Sequence, residues 1–230
     1  MDPYAGFAPI YERWSAPMTE DVAFYVDLAR EANGPIVELA VGTGRVAIPM
    51  AAATGRRVIG IDMSSSMLAL AGERAAAAGV DLDLRLGDMR DFSLDEQAAL
   101  ITCPFRSLLH LPTWADRRRV FERVAKSLQP GGRFAWNAFA FDPKIAVELD
   151  GKWHTNTGVP HRIDYFPPDS RVTVTLEDES AVTLWWIARS EWEGLIDVAG
   201  FEVEALYGWF DRSPFGDTSR EFVWVARKPA

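Results

Sequence analysis

Cysteine is nearly absent from this chain. Cys103 is the single one in 230 residues, so no internal disulfide can form, which fits a reducing compartment and an expected cytoplasmic location. Histidine is scarce too: His110, His154 and His161 are scattered without metal-ligand spacing, so no metal is expected. No apolar run approaches the roughly 20 residues of a membrane span, and the opening MDPYAGFAPIYERW has neither the basic start nor the apolar stretch of a secretory signal. Basic charge is in deficit. The net charge of −9 argues against DNA or RNA as a partner. The one basic run, Arg117 to Arg119, falls on a helical pattern and is expected to be a solvated face. Internal repeats, low-complexity tracts and interdomain linkers are all missing, so residues 1–230 read as one domain.

What is present is organised around Ile36 to Arg45, IVELAVGTGR. Four apolar-rich residues, Ile36 to Leu39, read as a short buried strand, and Val46 to Ala53 as a helix. Between them Gly42 lets the chain reverse and Gly44 lets a ligand lie against bare backbone, while the helix start offers unpaired N–H groups. That is a nucleotide-type cofactor site.

The rest of the chain repeats the alternation. Residues 1–18, rich in aromatics and proline, read as an arm that packs on the fold. Thr19 is expected to cap a helix to about Glu31, with Glu20 and Asp21 at its positive end. Strands follow at Arg57 to Asp62, Val80 to Leu86, Ala98 to Cys103 and Arg133 to Phe139. The helix between the first two has its N-cap within Ser64 to Ser66 and ends near Gly79, and an amphipathic helix occupies residues 113–128. Strands alternating with helices predict a parallel sheet with helices on both faces. After Asp142 the pattern turns antiparallel, with HRIDYF, RVTVTLE and AVTLWWIARS as strands of an insertion at about 143–190. A helix from Glu191 to Ala199 and a hairpin, FEVEALYGWF with EFVWVAR, close the chain.

Gly42-Thr43-Gly44-Arg45-Val46-Ala47 also fits the dinucleotide fingerprint G-x-G-x-x-A, with Asp62 near the place of its ribose-binding acid. A nicotinamide-dependent oxidoreductase therefore stays open on that motif alone. Glu38, four residues before Gly42, would repel a pyrophosphate but attract an ammonium. Asp88, after the third strand, suits an adenine amine, and an antiparallel last strand is rare in nicotinamide-binding domains. VELAVGTGR, GIDMSSSML, LGDMRDF and LQPGGRF together resemble, in order and spacing, the class I S-adenosylmethionine (AdoMet)-dependent methyltransferases. The resemblance covers roughly residues 20–140 and the final hairpin.

It implies an α/β Rossmann-like sheet of seven strands, the last antiparallel, and AdoMet as cofactor. Glu38 and the loop Ala40, Gly42, Thr43, Gly44 and Arg45 would hold the methionine end. Asp62 would take the ribose hydroxyls, Asp88 the adenine amine, and Met63 and Met89 the adenine faces, with Met67, Cys103 and Phe105 nearby. Ala40 stands where the family has its first glycine, and Gln97-Ala98-Ala99-Leu100 lacks the acid often found at the start of strand four.

The segment Cys103 to Leu111 lies beside the transferable methyl and has neither the N-P-P-Y of nucleic-acid amino-methylases nor an acid for a metal. Its S-x-x-H-L, Ser107 to Leu111, is similar to the small-molecule methyltransferases that include nucleotide-sugar N,N-dimethyltransferases. That implies N- or O-methylation of a small molecule covered by the arm and the insertion, with Tyr11 and Trp14 of the arm also contacting the cofactor. His110 is a candidate general base or orienting group, or a helix-start histidine bonded to backbone; Tyr11 either joins it in catalysis or only packs on the fold. Arg106 is a candidate acceptor anchor or a partner for a nearby acid, and Asn137, Trp153, Tyr165 and Trp186 are candidate acceptor contacts. Seven of the nine tryptophans follow residue 130, which suggests an aromatic wall around an apolar pocket. A non-catalytic AdoMet-binding protein stays open beside the enzyme, and nothing in the insertion compels a homodimer.

Overall fold

All four residues of the first strand, Ile36–Leu39 (β1), are buried, as a strand covered on both faces requires. The computed structural model describes residues 10, 13, 15–155 and 158–230. A helix, Val22–Glu31 (α1), precedes β1. After it come α2 (Ala47–Thr54), β2 (Val58–Asp62), α3 (Ser65–Ala77), β3 (Leu82–Leu86) and β4 (Ala98–Cys103). A short 3-10 turn at Ser107–His110 leads to α4 (Trp114–Ser127) and β5 (Leu128–Phe139). The insertion contributes α5 (Pro143–Leu149), β6 (Lys152–His154), β7 (His161–Phe166), β8 (Arg171–Leu176) and β9 (Ala181–Trp185). The chain finishes with α6 (Arg189–Val198), β10 (Glu202–Tyr207) and β11 (Glu221–Arg227).

Seven strands form one sheet in the order β10-β11-β5-β4-β1-β2-β3. β11 runs antiparallel to β5 and β10, and the remaining pairings are parallel. This is the α/β sheet expected, helices on both faces and the last strand reversed. Strand alternation divides the core. Val37, Leu39, Ile101, Trp136 and Trp224 pack with Phe121 of α4 and Trp192 of α6. Ile36, Val58, Leu100 and Val223 pack with Phe24 and Tyr25 of α1 and Met50 of α2. The first layer is aromatic: Trp136 lies 4.7 Å from Phe134, 5.8 Å from Trp192 and 5.9 Å from Trp224 between ring centroids. Each such pair adds about 0.5–1.5 kcal/mol beyond its buried area.

The insertion forms its own antiparallel sheet, β6-β7-β8-β9. Ile10 of the N-terminal segment is buried with Met67 of α3 and with Val159 and Leu176 of the insertion, so the three meet over one end of the sheet.

Four sequence expectations need correction. The N-cap of α1 is Asp21 and not Thr19, and the Asp21 side chain makes no cap bond; Arg45 takes both its oxygens, at 2.6 and 2.7 Å. Arg117 is buried rather than solvated, because it donates to Glu191 Oε1 and the Trp185 carbonyl. β5 starts at Leu128 instead of Arg133: Gly131, at φ +74°, carries the chain through an irregular pairing with β4 instead of ending it. Helix α5, with Pro143 in its first turn and Asp142 capping it, was not anticipated. The strand boundary at Ala98, by contrast, stands despite the missing acid.

Candidate active site

The strand order reverses between β1 and β4, and in such sheets the loops leaving the carboxyl ends part there to leave a crevice. A cavity of about 390 Å³ occupies that place. The β1 loop gives it Ala40 and Gly42, β2 gives Ile61 and Asp62 with Met63 just after it, and the β3 loop gives Gly87 to Arg90. Met67 comes from α3, and Phe105, Arg106, Ser107, His110, Leu111 and Pro112 from the loop after β4. Val182 and Leu184 of β9 and Met18 of the N-terminal segment complete the wall.

The β1 loop turns through left-handed backbone at Ala40 (φ +54°), Gly42 (φ +54°) and Gly44 (φ +80°). A Cβ at Gly42 would meet nothing within 4 Å, so this is the bare backbone that faces the cavity. Gly44 serves packing instead, since a Cβ there would lie 3.0 Å from Ile48 Cδ1 and the residue is off the wall. That reverses the role expected for Gly44. Asp62 staples the loop: Gly42 N–H donates to Oδ2 at 2.8 Å and Ser64 N–H to Oδ1 at 2.9 Å. Thr43 is buried off the wall and accepts from Arg74 Nη1 at 2.9 Å.

Glu38, like Cys103, is buried and is not itself on the cavity wall, and its Oε2 has no hydrogen-bond partner. Burial pushes its carboxyl well above the ordinary carboxylate range; Arg45 pulls the other way, and Asp21 and Asp62 add to the rise. Arg45 does not reach the cavity wall. It binds Asp21, donates to the Met18 carbonyl at 2.8 Å and lies 4.5 Å over the Phe105 ring, so it ties the N-terminal segment to the loop. Cys103 is fully buried at the end of β4, where burial raises its thiol pKa.

On the β3 loop Asp88 is gripped by Arg90, which holds its carboxyl below the ordinary range. Met63 and Met89 line the same cavity. Phe105 (φ +58°) and Arg106 (φ +63°) are consecutive left-handed residues, a conformation held from beneath. Asn137 Oδ1 accepts from Phe105 N–H at 2.7 Å and from Tyr25 Oη at 3.0 Å, while its Nδ2 donates to Glu221 Oε1 at 2.6 Å. Arg106 pairs with the same Glu221 at 2.7 Å. Asn137 is thus a strut under the loop and not a wall residue. His110 ends the 3-10 turn on the wall, and burial lowers its imidazole pKa to about 4, so it is neutral near pH 7.

The expected aromatic wall is not there. Trp153 is exposed on β6, the far edge of the insertion sheet from β9. Trp186 stacks on Phe141 at 4.2 Å with Tyr165 at 6.0 Å, and both lie off the wall. Phe105 is the one Phe, Tyr or Trp lining the cavity among the described residues. Tyr11 and Trp14 lie outside the described residues. The wall residues that sequence reasoning missed are Met18, Ile61, Gly87, Arg90, Pro112, Val182 and Leu184, while Ser107 and Leu111 fell within the S-x-x-H-L segment without a role of their own. The alternation of AVTLW could have flagged the β9 pair. Among the described residues no cluster of three metal-ligating side chains occurs, and no helix is long and apolar enough to cross a membrane.

A methyltransferase domain model matches residues 36–132. The chain is 31% identical over 192 residues to the dTDP-3-amino-3,6-dideoxy-alpha-D-glucopyranose N,N-dimethyltransferase of Streptomyces fradiae, covering 75% of this chain and 72% of that one. The chain belongs to the AdoMet-dependent methyltransferases. It is also similar to the 27-O-demethylrifamycin SV methyltransferase of Amycolatopsis mediterranei, at 29% identity over 77% of this chain and 69% of that one. A solved S-adenosylmethionine-dependent methyltransferase from Clostridium acetobutylicum shares the fold, with a TM-score of 0.80 at 15% identity over 99% of each chain.

The residues of this methyltransferase fit its cofactor. An unpartnered, buried carboxylate oxygen at Glu38 asks for a cation, open backbone at Gly42 accepts close approach, and Asp62 and Met63 line the same cavity as Gly42.

Proposed function

We propose that this enzyme transfers the methyl group of AdoMet to the nitrogen of a neutral amine on a small organic molecule. The observation that carries this reading is one continuous cavity that joins the Gly42–Asp62–Asp88 end to an apolar end at Ser107, His110, Val182 and Leu184. Its volume of about 390 Å³ suits small molecules.

When bound, AdoMet supplies a methyl group on a positively charged sulfur, which leaves as a neutral thioether. Glu38 would hold the ammonium of its amino-acid end and Asp62 the ribose diol, with Met63 and Met89 beside the adenine. The chain then has two tasks, to orient the acceptor and to exclude water. Phe105 and the β9 pair close the apolar end. His110, neutral and adjacent, accepts a hydrogen bond from the attacking group. With a pKa of about 4 it is a weak base, adequate for an amine that is already deprotonated and poor for an alcohol. That favours nitrogen over oxygen, and the sugar N,N-dimethyltransferase relative points the same way. Residues 1–230 act as one cytoplasmic domain, with 143–190 as the cover of the acceptor end.

The test is a product screen with AdoMet carrying a labelled methyl, offered a panel of amino sugars and other small amines beside matched alcohols. Label should enter amines, and His110→Ala should lower amine turnover by about tenfold or less, against the roughly 10²–10⁴ that a true general base contributes. Label confined to alcohols would overturn the nitrogen assignment, and label confined to nucleic acid or protein would overturn the small-molecule one.

A further inference from the structure

Arg90 lines the cavity, yet none of the roles above uses it. Its guanidinium wraps the carboxylate of Asp88. Nε donates to Oδ1 and Oδ2 at 3.0 Å each, Nη2 donates to Oδ2 at 2.6 Å, and the Arg90 backbone N–H donates to Oδ1 at 2.8 Å. The remaining nitrogen, Nη1, reaches Asp116 Oδ1 at 3.0 Å. Asp116 is itself held, its Oδ2 accepting from Thr113 Oγ1 at 2.6 Å in the first turn of α4. One guanidinium therefore joins the β3 loop to the helix that follows the opposite wall, Leu111 and Pro112.

The pair is about one-third exposed on each side, 33% for Arg90 and 35% for Asp88, so screening leaves it little value for stability. Its geometric effect is larger. A lone aspartate turns about two bonds, whereas a planar fork engaging both oxygens fixes the plane of the carboxylate. We propose that Arg90 is a positioning residue that aims the outward lone pairs of Asp88 at the exocyclic amine of the cofactor's purine, and so lets the site distinguish a 6-amino from a 6-oxo purine. The proposal rests on the placement of adenine beside Asp88. A 6-oxo purine brings an acceptor to the carboxylate where the amine brought a donor. A fixed carboxylate must tolerate that clash. A loosened one can swing to the neighbouring ring N–H of the oxo purine, and discrimination falls.

Calorimetric titration with S-adenosylhomocysteine and S-inosylhomocysteine tests this without any acceptor substrate. Wild-type protein should prefer the adenosyl compound by about tenfold or more, and Arg90→Gln should cut that preference to about threefold or less, mainly by weakening the adenosyl compound. Arg90→Lys, which keeps the charge and loses the fork, should fall between. Asp116→Asn leaves Asp88 untouched and removes only the far anchor, so it should shift the ratio the same way by less. An Arg90→Gln protein that keeps the full preference, or that loses affinity for both compounds equally, overturns the proposal. If that variant does not fold, an unchanged ratio in Asp116→Asn and Arg90→Lys overturns it instead. Wild-type binding of both purines with equal affinity would remove the Asp88 assignment, and binding of neither would remove the cofactor assignment of the whole cavity.

Discussion

Ala40 carries strain that its family position normally avoids. Its φ of +54° lies in the left-handed region, which costs a residue with a Cβ roughly 1–2 kcal/mol. Replacing it with glycine removes the strain but adds conformational freedom to the unfolded chain, worth about 0.4–1 kcal/mol. The strain is the larger of the two, so Ala40→Gly should raise Tm by about 2 °C in thermal unfolding, given that 1 kcal/mol moves a chain of this size by roughly 2–4 °C. A lower Tm would mean the methyl makes compensating contacts on the cavity wall. The alanine was legible in the sequence as a departure from the motif, but its backbone angle was not. The same holds for Glu38, whose place before the turn marked it for a cation, whereas its missing partner required coordinates. His110 was recognised as a wall candidate; its neutrality follows from burial, which no local pattern reports.

At the level of elements, the glycine turns and apolar runs were enough to locate most strands, because buried parallel strands announce themselves as uninterrupted apolar residues. Ala98–Cys103 is such a case. The supports of the site were not legible, because they join distant parts of the chain. Asn137 of β5, Glu221 of β11, Tyr25 of α1 and the loop at Phe105–Arg106 form one hydrogen-bonded network, buried at Asn137, Glu221 and Tyr25. Sequence reasoning put Asn137 and Arg106 at the acceptor; Asn137 instead holds up the loop, and Arg106 reaches the wall already paired. Glu221→Ala should leave the Asn137 amide and the Arg106 guanidinium without their acceptor. The cost in chemical denaturation is expected at about 2 kcal/mol, toward the lower end for such losses because Arg106 is half-exposed. A change below about 0.5 kcal/mol, the size typical of surface substitutions, would show that the loop holds its left-handed turn unaided.

Across the whole molecule, the tryptophans that suggested an aromatic pocket went mainly into the core, where Trp136, Trp192 and Trp224 are fully buried. Composition counted them correctly and said nothing of which face they take. The cavity is walled instead mainly by methionine, leucine and valine, with Asp62 on its wall and Glu38 buried just off it. Asp62 is hydrogen-bonded to two backbone N–H groups, whereas burial drives Glu38 toward its protonated form. An ammonium placed against Glu38 lowers its pKa again, so cofactor binding must release a proton. The sign follows directly: with Glu38 raised in the empty site, affinity strengthens as pH rises from the ordinary carboxylate range toward the raised value.

The most direct measurement is calorimetric titration of AdoMet into wild-type protein at a series of pH values upward from the ordinary carboxylate range, each in two buffers of different ionisation enthalpy. The heats should differ in the sense of proton release, and in Glu38→Gln the difference should vanish while affinity drops by about tenfold or more. Equal heats in both buffers, together with a glutamine variant that binds as tightly as wild type, would contradict the placement of the cofactor's amino-acid end at Glu38.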